Sequence, residues 1–409
     1  LLDPVGVNGL SNVWVRGDGR GVTTIKAVST ATGAAFAFGG RTSFKISDMT
    51  FDGTYYAGGV SPLEMTTSTN FDIDNVEILH MQRFAVEWDY VSDCKMRNSR
   101  VVKDTPVGNV VVYAVNVSTI RGGNERCQII DNYFDGAGVS ISGKDFTFSR
   151  NTVLNYRYGG GVQTAQDTTY SMRATVTDNT FLDSGSGTDL DGTRPPGFEN
   201  WAPYSIISGN KCYNLSGSCI SNGGQYSTVT GNVGVDLNQS AGPEGACFDN
   251  RYGTSDYNGN YSVYAGNICT NTAGTSGPII YGFHDQASVT RGVLIGNQFH
   301  NVKTKPVYVV GTDYSFVGDV LSNTEAWTPG LINAGAATTV QTVTVTGARL
   351  GDVVGISFSL DTQGVTFVGV VSASDTVSYW ATNTTSGGVT LGAGTVTVTA
   401  AKTINSADY

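Results

Sequence analysis

The chain has 409 residues, 53 of them glycine, with 14% charged residues and a formal net charge of −10. That charge argues against nucleic acid or an anionic membrane as a partner held by charge attraction. No segment approaches 18 uninterrupted apolar residues, so no membrane-spanning helix and no membrane insertion are expected.

Residues 1–41 are irregular. Gly17, Gly19, Gly21, Gly33, Gly39 and Gly40 break short β-prone runs, and the segment reads as the start or cap of a repeating body that begins at residue 42. The opening Leu1-Leu2-Asp3 lacks Met and leads from no basic start into an apolar run. It does not read as a signal peptide, and the natural N-terminus is expected upstream.

From 42 to 323 one short pattern returns: a polar residue or Gly, then Asn, then a β-prone residue. It reads Asp74-Asn75-Val76, Asp131-Asn132-Tyr133, Arg150-Asn151-Thr152, Asp178-Asn179-Thr180 and Gly209-Asn210-Lys211. It continues as Gly231-Asn232-Val233, Gly266-Asn267-Ile268 and Gly296-Asn297-Gln298, with weaker copies at Arg97-Asn98-Ser99 and Ser47-Asp48-Met49. Spacings of roughly 19 to 35 residues mark a solenoid. The unit has no helical apolar period, so the rungs are strands. The expectation is an all-β chain whose main body is a parallel β-helix of about ten rungs, a rod about 48 Å long at about 4.8 Å per rung. Asn at the repeat position suits left-handed backbone and a stacked hydrogen-bonded ladder. The longer connections come after Val101, Leu182, Leu237 and Tyr252, and residues 183–202 are the most loop-like. Extra loop residues on a rigid scaffold are where binding and catalysis gather.

The six cysteines, Cys94, Cys127, Cys212, Cys219, Cys247 and Cys269, contain no C-x-x-C pair. No zinc site is expected. Cys94 and Cys127, like Cys212 and Cys269, hold similar offsets from a repeat Asn, which reads as stacked, reduced core thiols. The pattern stops near 324–337, a linker broken at Pro329-Gly330. Residues 338–400 then alternate apolar and polar in runs separated by Gly, Asn, Ser and Asp, the pattern of a small antiparallel β-sandwich. Residues 401–409 form a tail.

The arrangement resembles a bacteriophage tailspike, a right-handed parallel β-helix with a separate β-rich C-terminal domain. VTVTGARLGDVVGISFSLDTQGVTFVGVVSASDTVSYWATN is similar to a sandwich recurrent at the C-termini of phage tail proteins. The resemblance implies a homotrimer on the virion. It acts extracellularly on a bacterial surface polysaccharide, with the virion-binding part missing upstream and the sandwich serving trimerisation or glycan binding. It transfers no catalytic residue and implies no cofactor.

The residues themselves suggest where chemistry lies. Aligned by the repeat Asn, a further strand forms a column: AVEWD (85–89), GVSIS (138–142), GVQTA (161–165), DLDGT (189–193), CISNG (219–223), CFDNR (247–251) and YGFHD (281–285). Alternation turns Val86, Val139, Val162, Leu190, Ile220 and Phe248 inward. It turns Glu87, Ser140, Gln163, Asp191, Ser221, Asp249 and Gly282 outward, with Asp89, Asp189, Arg251 and His284 flanking. With Trp88, Phe198, Trp201 and Tyr252 nearby, this outward stripe has the composition of a sugar-binding groove.

Hydrolysis of a glycosidic bond takes two carboxylates. Asp191 and Asp249 fall two rungs apart, about 9–10 Å, and Asp189 and Asp191 about 6.6 Å apart along one strand. Glu199 and Glu244 sit in adjoining loops. An endo-glycosidase on these acids is the first reading. Substrate-binding candidates are Arg251, Tyr252, Trp201, His284, Glu87 and Gln163. A uronate-directed lyase is the second reading, with a base and a cation drawn from His284, Arg251, Tyr252 and Tyr281. The third is an adhesin that binds glycan without cutting it. No metal is expected, and the zinc-protease, α/β-hydrolase and P-loop motifs are missing.

Overall fold

The computed structural model describes residues 5–6, 11–26, 34–54, 61–81, 84–103, 113–117, 123–156, 160–164, 171–184, 195–237, 246–254, 257–273, 278–285, 291–303, 305–309, 314–317, 320–345 and 347–401. A typical rung has three short strands, as in Gln128–Ile130, Tyr133–Asp135 and Gly138–Ser140. Each pairs in parallel with its equivalent in the next rung. The result is the expected parallel β-helix, with strand columns one, two and three. Column three stacks twelve strands, from Val5–Gly6 to Lys305–Tyr308. The stack thus reaches into residues that the sequence reads as a cap.

The register explains the composition. Column three turns Phe36, Leu63, Val86, Val115, Val139, Val162, Phe198, Ile220, Phe248, Phe283 and Val307 inward, one per rung. All are buried. Between columns one and two the chain turns a corner at the repeat. Asn132, Asn151, Asn179, Asn210, Asn232, Asn267 and Asn297 stack there, buried. The side-chain oxygen of each from Asn151 to Asn297 accepts from the amide of the Asn one rung earlier, as Asn210 Oδ1 does from Asn179 Nδ2 at 2.9 Å. This ladder satisfies backbone that the corner leaves unpaired. The left-handed residue is the one before the Asn: Asp131 (φ 58°), Arg150 (54°), Asp178 (57°), then Gly209, Gly231, Gly266 and Gly296. Asn75 and Asn98 themselves occupy that left-handed position. In their rungs Val76 and Ser99 stand at the ladder position, and Ser99 N donates to Asn132 Oδ1.

Two cysteine expectations are corrected. Cys94 and Cys127 stack on adjacent rungs, but as a disulfide, and Cys212 is joined to Cys219. Cys247 and Cys269 are free and buried. Equal rung offsets bring Cα atoms to 4.6 Å at Cys94–Cys127, within bridging distance; the offset shows the proximity and leaves the bond undecided.

At the C-terminal end Val320–Trp327 begins at the last rung, its Val320 paired in parallel with Gln298, and then pairs antiparallel with Gly394–Ala401. This strand runs through the boundary drawn at 323/324 and carries the solenoid directly into the sandwich. Val353–Phe358 joins the far edge of Gly394–Ala401. Gln341–Thr344, Thr376–Asn383 and Val365–Ala373 form the second antiparallel sheet.

Candidate functional site

Outward positions in column three, one residue after each core residue, run Ala37, Glu64, Glu87, Asn116, Ser140, Gln163, Glu199, Ser221, Asp249, His284 and Tyr308. The stripe is the one expected, with two changes of occupant. Phe198–Asn200 fills the rung assigned to DLDGT, so Glu199 stands in the stripe where Asp191 was placed and is no loop residue. His284, not Gly282, faces Asp249 on the next rung.

The polar side chains of these rungs form one connected chain. Tyr113 donates its hydroxyl to Gln163 Oε1. Gln163 Nε2 donates to Glu199 Oε2 at 2.6 Å. Arg251 bridges two carboxylates, Nη1 to Glu199 Oε1 at 2.7 Å and Nε to Asp249 Oδ2 at 3.1 Å. His284 Nδ1 lies 3.2 Å from Asp249 Oδ1, and Ser221 Oγ donates to Asp249 Oδ2 at 3.4 Å. The His284 ring is flanked by Tyr281 and Tyr308, each with its centroid at 5.4 Å and nearly parallel. Asp249 points away from the core yet its side chain is only 2% exposed, because these partners crowd it. Two carboxylates sharing one guanidinium carry a formal charge of −1, concentrated where little water screens it.

Behind the stripe the wall is stiff. Asn200, Asn222 and Asn250 stack in register at the next inward position. Asn250 accepts from the Tyr264 hydroxyl and donates to the Tyr314 hydroxyl. Burial pushes both phenols well above their ordinary range, and the nearby Asp285 adds to it. A network satisfied on all sides holds the outward groups in place.

The other candidates stand apart from this chain of contacts. Glu87 is in the stripe but six rungs from Asp249, about 29 Å away. Trp201 is buried, as are Trp88 and Phe198, so none is a sugar platform. Their rings fill the core and the turn beside Gly223, whose added Cβ would meet the Trp201 ring at 2.4 Å. Tyr252 opens the hairpin Tyr252–Thr254 with Tyr257–Asn258. Asp189, Asp191 and Glu244 lie outside the described residues. Tyr113, Asn116 and Tyr308 were missed as site residues. Asn116 and Tyr308 can be found by a register count, since each stands one residue after a buried core position of column three. Among the described residues no group of three or more His, Cys, Asp or Glu is arranged to hold a metal ion, and no helix is long and apolar enough to cross a membrane.

The fold is a parallel β-helix, and the solved structures that it resembles include phage tailspikes and mannuronan epimerase modules. The A-module of mannuronan C-5 epimerase AlgE6 from Azotobacter vinelandii matches with TM-score 0.58 and 18% identity, over 75% of this chain and 84% of that one. The tailspike gp49 of Pseudomonas phage LKA1 matches with TM-score 0.49 and 14% identity, over 96% of this chain and 63% of that one. The tailspike of E. coli bacteriophage HK620, solved with a pentasaccharide, matches with TM-score 0.40 and 13% identity, over 89% and 76%. At these identities the likeness is one of fold. No family model and no curated protein matches the sequence.

Proposed function

We propose that this chain is a tailspike-type depolymerase of a bacterial surface polysaccharide, capsule or O-antigen, and that it cleaves at the Glu199–Asp249–His284 stripe. The observation that carries the reading is the His284–Asp249–Arg251–Glu199 chain, four titratable groups joined by hydrogen bonds on the outward face of a rigid β-helix. Charged groups that converge in this way on the outward face of a rigid scaffold are candidates for a reacting centre. The polysaccharide class is supported by the resemblance of the C-terminal sandwich to phage tail proteins and by the fold shared with a mannuronan epimerase.

The geometry favours proton abstraction. Asp249 at Nδ1 orients the His284 ring, as a carboxylate orients a catalytic imidazole elsewhere. Nε2 is then the nitrogen that takes a proton from the carbon α to a uronate carboxylate. The electron pair moves onto that carboxylate, where the Arg251 charge stabilises it, and then forms a carbon–carbon double bond as the glycosidic C–O bond breaks. Tyr281 or Tyr308, beside the imidazole, returns a proton to the leaving oxygen.

A second reading, hydrolysis, rests on a different observation. Glu199 and Asp249 stand two rungs apart, about 9–10 Å between backbones, near the separation that admits a water and inverts the anomeric centre. Its weakness is that both carboxylates are already engaged by the Arg251 guanidinium. Digestion of a panel of capsule and lipopolysaccharide preparations, with polymannuronate and polygalacturonate as defined polymers, separates the readings. Elimination raises absorbance near 230 nm with each cut, whereas hydrolysis makes reducing ends without it. A polymer bound but not shortened would leave an adhesin.

A homotrimer attached to a virion belongs to the same proposal. Column one supports it with an outward row free of charge, Thr147, Thr175, Ile206, Thr228, Val263 and Val293, in which Ile206 is half exposed. Such a row suits burial against a copy of itself. Two disulfides suit the extracellular side, where they persist.

A further inference from the structure

The first rungs carry a feature that the stripe does not use. On the outward face of column one a cleft of about 530 Å³ is lined by Trp14, Asn12, Ser43 and Asn70. Trp14 is 55% exposed, whereas Trp88 and Trp201 are buried and Trp327 and Trp380 partly so. A large apolar ring left in water is informative where a ligand of matching shape can cover it. The ring is also fixed. Its Nε1 donates to the buried Ser47 Oγ at 2.9 Å, and the Arg16 guanidinium lies 5.1 Å from its centroid. Binding a ligand there would therefore cost little ordering entropy in the ring.

Beside the ring, the corner before column one stacks Asn12 (φ 60°), Ser43 (55°) and Asn70 (52°), with Asn70 Nδ2 donating to Ser43 Oγ at 2.9 Å. These groups offer amide and hydroxyl hydrogen bonds next to an apolar plate. The charges around the cleft and its Trp14 ring are Arg16, Lys45 and Lys95 against Asp48, Asp72 and Asp93, three of each sign, with the Lys45 ammonium 5.5 Å from the ring centroid. A balanced rim selects neither an anion nor a cation. An apolar ring, neutral hydrogen-bonding groups and balanced charge together match a pyranose, with one face of C–H groups and an equator of hydroxyls.

We propose that this cleft is a second, non-catalytic carbohydrate site that holds an uncharged pyranose unit of a polysaccharide. It rests on the reading that the protein handles polysaccharide, and not on which residues cleave it. The register places it eight rungs before the column-one strand that begins the Asp249 rung, about 38 Å along the axis. It lies on a different column, so it is no extension of the stripe. A polymer repeats its units, so engagement at the cleft raises the effective concentration of others at the stripe.

Affinity electrophoresis tests this with the full chain, in gels holding dextran, polygalacturonate or purified capsule and O-antigen preparations. Retardation by at least one polymer with uncharged sugars is expected. Trp14→Ala should weaken it about tenfold, Trp14→Phe should recover part of it, and Asn70→Ala should weaken it while all three melt like wild type. If Trp14→Ala and Asn70→Ala are retarded as strongly as wild type, the cleft is not the site, and the proposed function stands. If no polymer retards the wild type, both the cleft and the polysaccharide reading fall.

Discussion

Arg251 is the residue on which the candidate site turns. Its side chain is 12% exposed and lies between Glu199 (11%) and Asp249 (2%). Without it two nearly dry carboxylates would face each other, whereas with it they stand fixed on neighbouring parts of one face. Lys103 is the opposite case. It is buried, and among the described residues its Nζ has no hydrogen-bond partner. Burial lowers its pKa from the ordinary 10.5 to about 8. Below that value the ammonium is charged in both states and its burial costs stability. Between 8 and 10.5 the unfolded chain holds more protons, so stability rises with pH across this window and the cost is gone above it. Lys103→Met should therefore be more stable than wild type at pH 7, by up to about 3 kcal/mol, and the gap should close by about pH 10.5. Urea titrations at the two pH values measure it; an equal gap at both would show that burying the charged amine carries no penalty.

At the scale of the element, the Asn ladder is the feature that both sequence and structure show most plainly. Asn210 accepts from Asn179 N and Nδ2 and donates to Val176 O and to Asn232 Oδ1. Asn210→Ala would orphan several buried groups and should cost at least about 3 kcal/mol. Asn98→Gly, at the exposed left-handed corner, should cost about 0.5 kcal/mol or less. Equal losses in denaturant titrations would mean that the ladder is not what holds the corner. The same contrast explains what was legible. Columns, inward residues and the outward stripe came from the repeat and from alternation, so Asp249, Gln163 and Glu87 fell into place. Glu199 did not, because long connections carry no register. Asp189–Thr193 alternates like a strand, whereas Phe198–Asn200 is short and has no β-branched residue. Trp88 and Phe198 were misplaced for a related reason: an aromatic beside an acid reads as groove, but in a solenoid one step of parity moves it into the core.

For the whole molecule, the solenoid and the sandwich are joined by hydrogen-bonded strand, through Val320–Trp327 and Gly394–Ala401. Cross-links lie within the solenoid, Cys94–Cys127 between adjacent rungs and Cys212–Cys219 within one. Denatured without reductant, the chain should react with a thiol reagent at two cysteines, Cys247 and Cys269, and after reduction at six. Six reactive thiols before reduction would show that neither disulfide forms. The proposed trimer predicts a sedimenting species three times the 43.0 kDa chain mass, and a 43.0 kDa species at micromolar concentration would contradict it.

The proposed reaction occurs where His284, Asp249, Arg251 and Glu199 meet. The most direct test is the rate of polymer cleavage, tracked by absorbance near 230 nm and by reducing ends, for wild type beside His284→Ala, Asp249→Asn and Glu199→Gln, on the polymer that the wild type shortens. Absorbance should rise with the wild type, and His284→Ala and Asp249→Asn should lose about 10²-fold or more of the rate, with binding of the polymer retained. Reducing ends formed without absorbance, and lost in Glu199→Gln but not in His284→Ala, would move the chemistry to the carboxylate pair. Cleavage at the wild-type rate in all three variants would contradict the placement of the site altogether.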